Sequence, residues 1–437
     1  MRTRQALAAA LAVAALGGWV GAPASAADPI LAAAGDIACS PGMLESPSVC
    51  HEAETAQLLA GINPTAVAAL GDNQYEVGAL SAYQTVFDST WGAFRARMFP
   101  VPGNHEYYRV GADGYYAYFG SAAGDPAKGY YTYDLGDWRI LALNSNCDYV
   151  PCAAGSQQEQ WVRQQLAARP QACTLAYWHH SLYSSQGGDP RMRDIWNDLV
   201  QARVDVVLSG HNHNYERFAP QDSTAHLDLL RGPREFLVGT GGRSLGVIHG
   251  RRPNSEVRQD RVFGVLALTL APHGYAWSYD SEDGSFTDTG SAPCHDKVPP
   301  ALRLASLRPG AFRAAARGRF VAAGSPVGGG GAILRFRLSE PSSVAFTVQQ
   351  PLPGRRFRGT CIPARRRPSG SAGCSRWVAL SQPATRFLSG GHNRLLLSGR
   401  LGGRRLAPGR YRLVVTPTDR AQNLGAPVYV SFRIVRT

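Results

Sequence analysis

The chain has 437 residues, 44% of them hydrophobic and 18% charged, with 48 glycines and 29 prolines. That composition is too apolar and too varied for a disordered chain, and it lacks the strict glycine period of a collagen. The length accommodates two domains or three at roughly 150 residues each. The net charge of +13 is unevenly held: residues 297–437 carry 25 basic side chains against two acids, a net of +23, while 27–296 carry 18 against 30, a net of −12.

In chain order, residues 1–26 read as an export signal. Arg2 and Arg4 precede a small-apolar stretch over 6–20, and Ala24-Ser25-Ala26 offers a small-x-small cleavage site. The protein is therefore expected to be secreted. No later apolar run reaches the ~18 residues that would span a bilayer. Apolar runs at 30–34 and 66–70 end in Gly35-Asp36 and Gly71-Asp72, with a helical pattern at 52–59 between them. Further helical patterns at 157–166 and 191–200 alternate with strands at 174–178 and 204–208, which end at His179-His180 and Ser209-Gly210-His211. Strand-like segments follow at 235–238, 262–270 and 275–279 without helices between them. The pattern predicts an α/β body with a parallel part followed by an antiparallel part. Asp36, Asp72, His179 and His211 then share the carboxyl-end edge where open α/β sheets bind ligands.

Lys297-Val298-Pro299-Pro300 marks a boundary, since consecutive prolines favour an extended link. The reading is a signal over 1–26, a catalytic body over 27–296 and a basic domain over 297–437. Short apolar runs in the last part, at 333–338, 343–348, 393–397, 411–415 and 428–434, predict a small all-β sandwich. Its densest charge, Arg355-Arg356-x-Arg358 and Arg365-Arg366-Arg367, flanks Cys361 in an expected loop and makes an anionic polymer a candidate partner. Eight cysteines, none in C-x-x-C spacing, suit an oxidising compartment. Of the 105 possible pairings, short separations favour Cys39–Cys50, Cys147–Cys152 and Cys361–Cys374, leaving Cys173 with Cys294.

A hydrolase of phosphate esters that uses two cations ~3.5–4 Å apart needs one carboxylate shared between them, with imidazole and oxygen donors completing each shell. The chain supplies Asp36, Gly71-Asp72-Asn73-Gln74-Tyr75, Gly103-Asn104-His105-Glu106, His179 and Gly210-His211-Asn212-His213. A glycine ahead of Asp36, Asp72, Asn104 and His211 is expected to let the backbone turn sharply. In this order the set resembles the calcineurin-like metallophosphoesterases, and within them the purple acid phosphatases, over about 30–296. Gly-Asn-His-Glu and Gly-His-Asn-His-Asn-Tyr-Glu-Arg are its specific pieces.

The resemblance implies a four-layer αββα sandwich and a binuclear phosphomonoesterase acting through a metal-activated water. One ion, Fe(III), would take Asp36, Asp72, Tyr75 and His213; the other, Zn, Mn or Fe(II), would take Asp72, Asn104, His179 and His211. Two features favour the purple subfamily. Asp36-Ile37-Ala38 lacks the histidine of the usual Asp-x-His, and Tyr75 stands where a phenolate would prefer a hard, highly charged ion. His179 is preferred to its rival His180 because a His-x-x-x-aromatic spacing joins it to Tyr183. His105 would face the substrate, stabilise the transition state and protonate the leaving alkoxide. His180, Glu106, Tyr215, Glu216 and Arg217 would support the ligands from behind. Ser184-Ser185-Gln186-Gly187-Gly188 lacks the histidines that plant members carry there, so a phosphodiesterase or nucleotidase stands as the alternative. The basic domain is similar to immunoglobulin- or fibronectin-like modules through Pro408-Gly409-Arg410-Tyr411-Arg412 and Asp419-x-x-x-Asn423. A third reading makes that domain, as a polyanion binder, the working part.

Overall fold

The computed structural model describes residues 28–170, 172–324, 330–363 and 373–436; the expected signal and Arg365-Arg366-Arg367 lie outside the described residues. The first half builds thirteen strands. They are β1 (Ile30–Ala34), β2 (Ala66–Leu70), β3 (Met98–Val101), β4 (Tyr131–Leu135), β5 (Trp138–Ala142), β6 (Cys173–His180), β7 (Val206–Gly210), β8 (Tyr215–Phe218), β9 (Arg234–Val238), β10 (Ser255–Gln259), β11 (Gly264–Ala271), β12 (Gly274–Ser281) and β13 (Thr287–Pro293).

These strands form two sheets, ordered β13-β12-β11-β1-β2-β3 and β10-β8-β9-β7-β6-β5-β4. β1, β2 and β3 run parallel, as do β5, β6, β7 and β9, while β11 returns antiparallel against β1. β11, β12 and β13 therefore complete the first sheet instead of following it, whereas the segment at 235–238, expected in the antiparallel part, runs as β9 parallel to β7 in the second. Asp36 and Asp72 also leave a different sheet from His179 and His211, so the expected single edge is in fact two sheet edges facing each other.

The layers follow from side-chain alternation, because successive strand residues point to opposite faces. In β6, Leu175 and Tyr177 join the cluster between the sheets, whereas Ala176 and Trp178 face outward with Val162, Leu166, Ile195, Trp196 and Leu199. The last five lie on the helices Gln157–Ala168 and Arg193–Gln201, which cover the second sheet. The helix Glu52–Ile62 packs on β11 of the first. The first of the covering helices is capped by Ser156, whose Oγ accepts from Glu159 N, while the Glu159 carboxylate accepts from Gly155 N just ahead of the cap. Each aromatic side chain sealed between layers, such as Trp178 and Trp196, stabilises the stack by about 1.5–3 kcal/mol.

The second half is all β. A four-stranded sheet built on Leu302–Arg308, Ala332–Leu338 and Gly391–Leu397 packs against one built on Ser342–Phe357, Gly409–Thr418 and Val428–Ile434. Leu334, Phe336, Phe346, Val348, Leu413 and Val415 fill the space between. The strand expected at 343–348 runs on through Pro351 and Pro353 to Phe357 and turns back as Thr360–Pro363. Arg355 and Arg356 thus sit in a strand, not a loop. Beyond Val348 the apolar alternation stops and the prolines read as breakers, so the sequence pattern concealed the extension.

The four disulfides are Cys39–Cys50, Cys147–Cys152, Cys173–Cys294 and Cys361–Cys374, the expected pairs. No helix among the described residues is long and apolar enough to cross a membrane.

Candidate metal centre

The end of each buried strand delivers one polar side chain to the seam between the sheets. Asp36 follows β1, Asp72 follows β2, and Asn104 opens the short helix Asn104–Tyr107 just beyond β3. From the other sheet come His179, in the penultimate position of β6, and His211, immediately after β7. Both β6 histidines lie inside the strand, which runs two residues past its expected end at Trp178.

Asp36, Asp72 and His211 all hold left-handed backbone, with φ of 59°, 46° and 69°. Such conformations are costly for residues with a Cβ and concentrate at functional sites. The glycines ahead of them mostly serve a different purpose from the one expected. Gly71 does take a positive φ of 87°. At Gly103, however, a Cβ would lie 2.1 Å from Asp72 Oδ1, and at Gly210 one would lie 2.8 Å from Asp36 Oδ2. These two are glycine because the carboxylates occupy the space.

The Tyr75 hydroxyl lies 2.9 Å from Asp36 Oδ1, 3.1 Å from Asp72 Oδ2 and 3.1 Å from His213 Nε2. His213 Nε2 is in turn 3.2 Å from Asp36 Oδ1. Across the seam, His179 Nε2 stands 3.2 Å from Asp72 Oδ2 and 3.3 Å from His211 Nδ1. The other ring nitrogens explain how these imidazoles are aimed. His179 Nδ1 donates to the Leu70 carbonyl at 2.8 Å, which leaves the Nε2 lone pair facing the seam. His213 Nδ1 is held at 2.8 Å by Ser244 Oγ. Ser244 closes the run Gly239-Thr240-Gly241-Gly242-Arg243-Ser244 after β9, a glycine-rich strand end of the same kind as the others that the sequence reading passed over.

Electrostatics mark the same place. Burial pushes the Asp72 carboxyl up, but His179 and His105 outweigh it and hold the group well below the usual range. Asp36 is held down in the same way, with His213 as the counterweight to burial. Burial lowers His179, yet Asp72 and Asp36 raise it to about 9. His180 and His211 are driven down to about 2 and about 4, by burial first and then by positive His179. Two sealed carboxylates thus draw positive charge into the seam.

Asn104 Oδ1 is buried without a hydrogen-bond partner among the described residues, while its amide nitrogen donates to the Tyr108 hydroxyl at 3.2 Å. An orphaned acceptor beside two carboxylates, a phenol and imidazoles is a donor set suited to hard or borderline cations. Asp36, Asp72 and His179 offer ligand atoms within 4.8 Å of one another, and so do His179, His180 and His211.

The remaining candidates occupy varied positions. His105 donates from Nδ1 to the Glu76 carbonyl at 2.6 Å, lies between Tyr75 and Tyr108, and brings Nε2 to 3.8 Å from Asp72 Oδ2. Glu106 is sealed and accepts from the backbone N–H groups of Gly103, Asp72 and Asn73 and from the Tyr83 hydroxyl, tying the loops after β2 and β3 together. His180 Nδ1 meets Ser145 Oγ at 2.8 Å, and its ring packs on His211. Glu216 receives Ser185 N and Oγ, which anchors the loop after Tyr183. Tyr215 and Arg217 instead turn to Asp288 on β13 and bind the two sheets together. Arg243, which sequence reasoning missed, stacks its guanidinium 5.0 Å from the Tyr75 ring centre and pairs with Glu76.

Residues 32–215 match the calcineurin-like phosphoesterase family. The chain is 30% identical over 181 residues to the probable purple acid phosphatase 20 of Arabidopsis thaliana, covering 37% of this chain and 41% of that one. It is 26% identical over 266 residues to a nucleotide pyrophosphatase/phosphodiesterase of Hordeum vulgare, covering 50% and 69%. The solved structure of the purple acid phosphatase PPD1 from yellow lupin shares the fold at a TM-score of 0.52 and 21% identity, over 62% of this chain and 55% of that one. The chain spans about two fifths of the length of the Arabidopsis relatives it matches. With the two-sheet fold and the seam of carboxylates and imidazoles, the match over 32–215 shows that the chain carries a calcineurin-like phosphoesterase domain, similar over part of their length to purple acid phosphatases.

Proposed function

We propose that the protein is an exported phosphomonoesterase with a binuclear centre, formed by Asp36, Tyr75 and His213 on one side, Asn104, His179 and His211 on the other, and Asp72 shared. One observation carries this reading: Asp72 Oδ2 lies within 3.2 Å of both Tyr75 Oη and His179 Nε2, one from each side. Two bound cations would clamp the phosphoryl group and lower the pKa of a water from 15.7 towards ~7. The Tyr75 phenol favours Fe(III) on its side, and the amide and imidazoles favour Zn, Mn or Fe(II) on the other. Glu106 keeps the Asp72 and Asn104 loops in register. With Nδ1 committed to Glu76 O, a protonated His105 presents Nε2–H to the phosphoryl oxygens or the departing alkoxide. Export is supported by the N-terminal segment and by four disulfides.

The test compares an aryl phosphate monoester with its diester on metal-replete protein, with Asn104→Ala as the control. Faster monoester turnover that collapses in the variant supports the proposal. Diester preference moves the function to the alternative, towards which the barley relative leans, and makes the loop after Tyr183 the specificity element. No metal-dependent turnover on either ester overturns both and leaves the basic sandwich as the working part. The iron assignment has its own readout, a visible charge-transfer band that Tyr75→Phe removes.

A further inference from the structure

The outer face of the four-stranded sheet in the second half is a ladder of arginines. Strand register sets Arg303, Arg337 and His392 in one row and Arg335 opposite Arg394 in the next, with Ser306 on the other side of Arg335. Directly opposed residues share a face, so the four arginines and His392 project together, while Leu334, Phe336 and Leu338 turn into the core. Neighbours across strands stand ~4.8 Å apart, and the rows are about two residues, ~6.7 Å, apart along the strand.

Like charges directly opposed destabilise a sheet. Among the described residues no acid pairs with Arg303, Arg335 or Arg337. Residues 297–437 contain only Glu340, just past the strand end, and Asp419, which is buried and bonded to Asn423. Among the described residues, Arg303, Arg335 and Arg337 have no ion pair or side-chain hydrogen bond; Arg394 reaches the Gly324 carbonyl. A cavity of about 270 Å³, lined by Ala301, Arg303, Arg337 and Ser339, opens beside the first row. The densest basic motifs of the sequence lie elsewhere, in the second sheet and outside the described residues.

We propose that this face binds a linear polymer carrying a phosphate on every repeat, gripped through its backbone. Guanidinium forks match phosphate oxygens in pairs. Several cations at fixed spacing favour one chain over separate anions, because later contacts form within the same complex. No Phe, Tyr or Trp stands on the ladder face, so the grip falls on the phosphate backbone and not on stacked bases. The proposal stands independently of the phosphoesterase reading.

The test uses the full-length secreted protein carrying Asn104→Ala, so that the polymer is not consumed, with long-chain inorganic polyphosphate as the probe. Arg303→Ala/Arg335→Ala/Arg337→Ala is compared with a control of equal charge, Arg404→Ala/Arg405→Ala/Arg436→Ala. The ladder variant should lose at least about tenfold in affinity at low salt and flatten the log–log salt dependence by about two, at ~0.7 per phosphate contact on a single strand. The control should lose less than about threefold, and poly-glutamate should bind the parent at least about tenfold more weakly than polyphosphate. Without polymer, at low salt, the ladder variant should melt at a higher temperature than its parent, because the repulsion is relieved. An equal loss in the control, equal binding of poly-glutamate, or an unchanged or lower melting temperature would overturn the proposal in favour of diffuse charge.

Discussion

At the scale of single residues, the seam is specified as much by what is missing as by what is present. Gly103 is the clearest case: with a Cβ 2.1 Å from Asp72 Oδ1, Gly103→Ala must displace the Asp72 carboxylate. A displacement of about 1 Å costs on the order of 10²-fold in rate. The variant should therefore lose at least that much in kcat/KM, with bound metal measured in parallel by elemental analysis. His105 makes the opposite prediction, because it contacts the seam without completing it. His105→Ala should lower kcat by about 10²–10⁴-fold and leave metal content unchanged, whereas Asn104→Ala should lose both. Equal metal loss in the two variants would place His105 among the ligands.

At the scale of elements, the two sheets must hold their edges in register for donors from both to meet. Two ties act besides the donors themselves. The Cys173–Cys294 disulfide joins the start of β6 to the end of β13, closing a loop with a sequence separation of 121. Tyr215 and Arg217 grip Asp288 across the same pair of sheets. Replacing both cysteines by serine should destabilise the fold by about 2–5 kcal/mol, read from urea midpoints. Catalysis below the unfolding transition should be unaffected, since the donors lie at the opposite strand ends. A fall in kcat with an unchanged midpoint would contradict this division of labour.

At the scale of the whole molecule, the acidic first half meets the basic second half around Asp205. Its carboxylate accepts from Thr174 N at the start of β6, from His295 N and from Lys297 Nζ, all within 2.9 Å. Arg203 and the Asp296 carbonyl both reach Asn423 in the second half. Burial pushes Asp205 up, but His295 and Lys297 outweigh it and hold the carboxyl below its usual range. A carboxyl lowered by folding stabilises the protein above its unfolded pKa of ~3.9 and loses that contribution as pH falls through the folded value. Asp205→Asn leaves Lys297 buried without its counter-ion and should cost about 3–5 kcal/mol near pH 7. The gap between wild type and variant should narrow below about pH 4, as seen in denaturation midpoints across pH. A gap independent of pH would assign the loss to packing instead.

Much of this protein was legible in its residues. The strands at 30–34 and 66–70 match β1 and β2 in full, because a five-residue apolar run closed by Gly-Asp is too short for a helix and suits a buried strand and its exit. The four cysteine pairs also followed from separation along the chain, since three of them close short loops. Three matters were settled only in the folded chain, each because it depends on partners remote in sequence. Alternation within β6 cannot reveal that β11 pairs with β1, and so could not place the donors on two facing sheets. No local pattern marks Ser244, Arg243 or the Leu70 carbonyl as supports of the seam, since each acts on residues at least 30 positions away. The arginine ladder is likewise invisible in the sequence, where Arg303, Arg335 and Arg394 are scattered. Composition determined how much charge the second half carries; antiparallel register, which sets residues from distant strands side by side, decided where it acts.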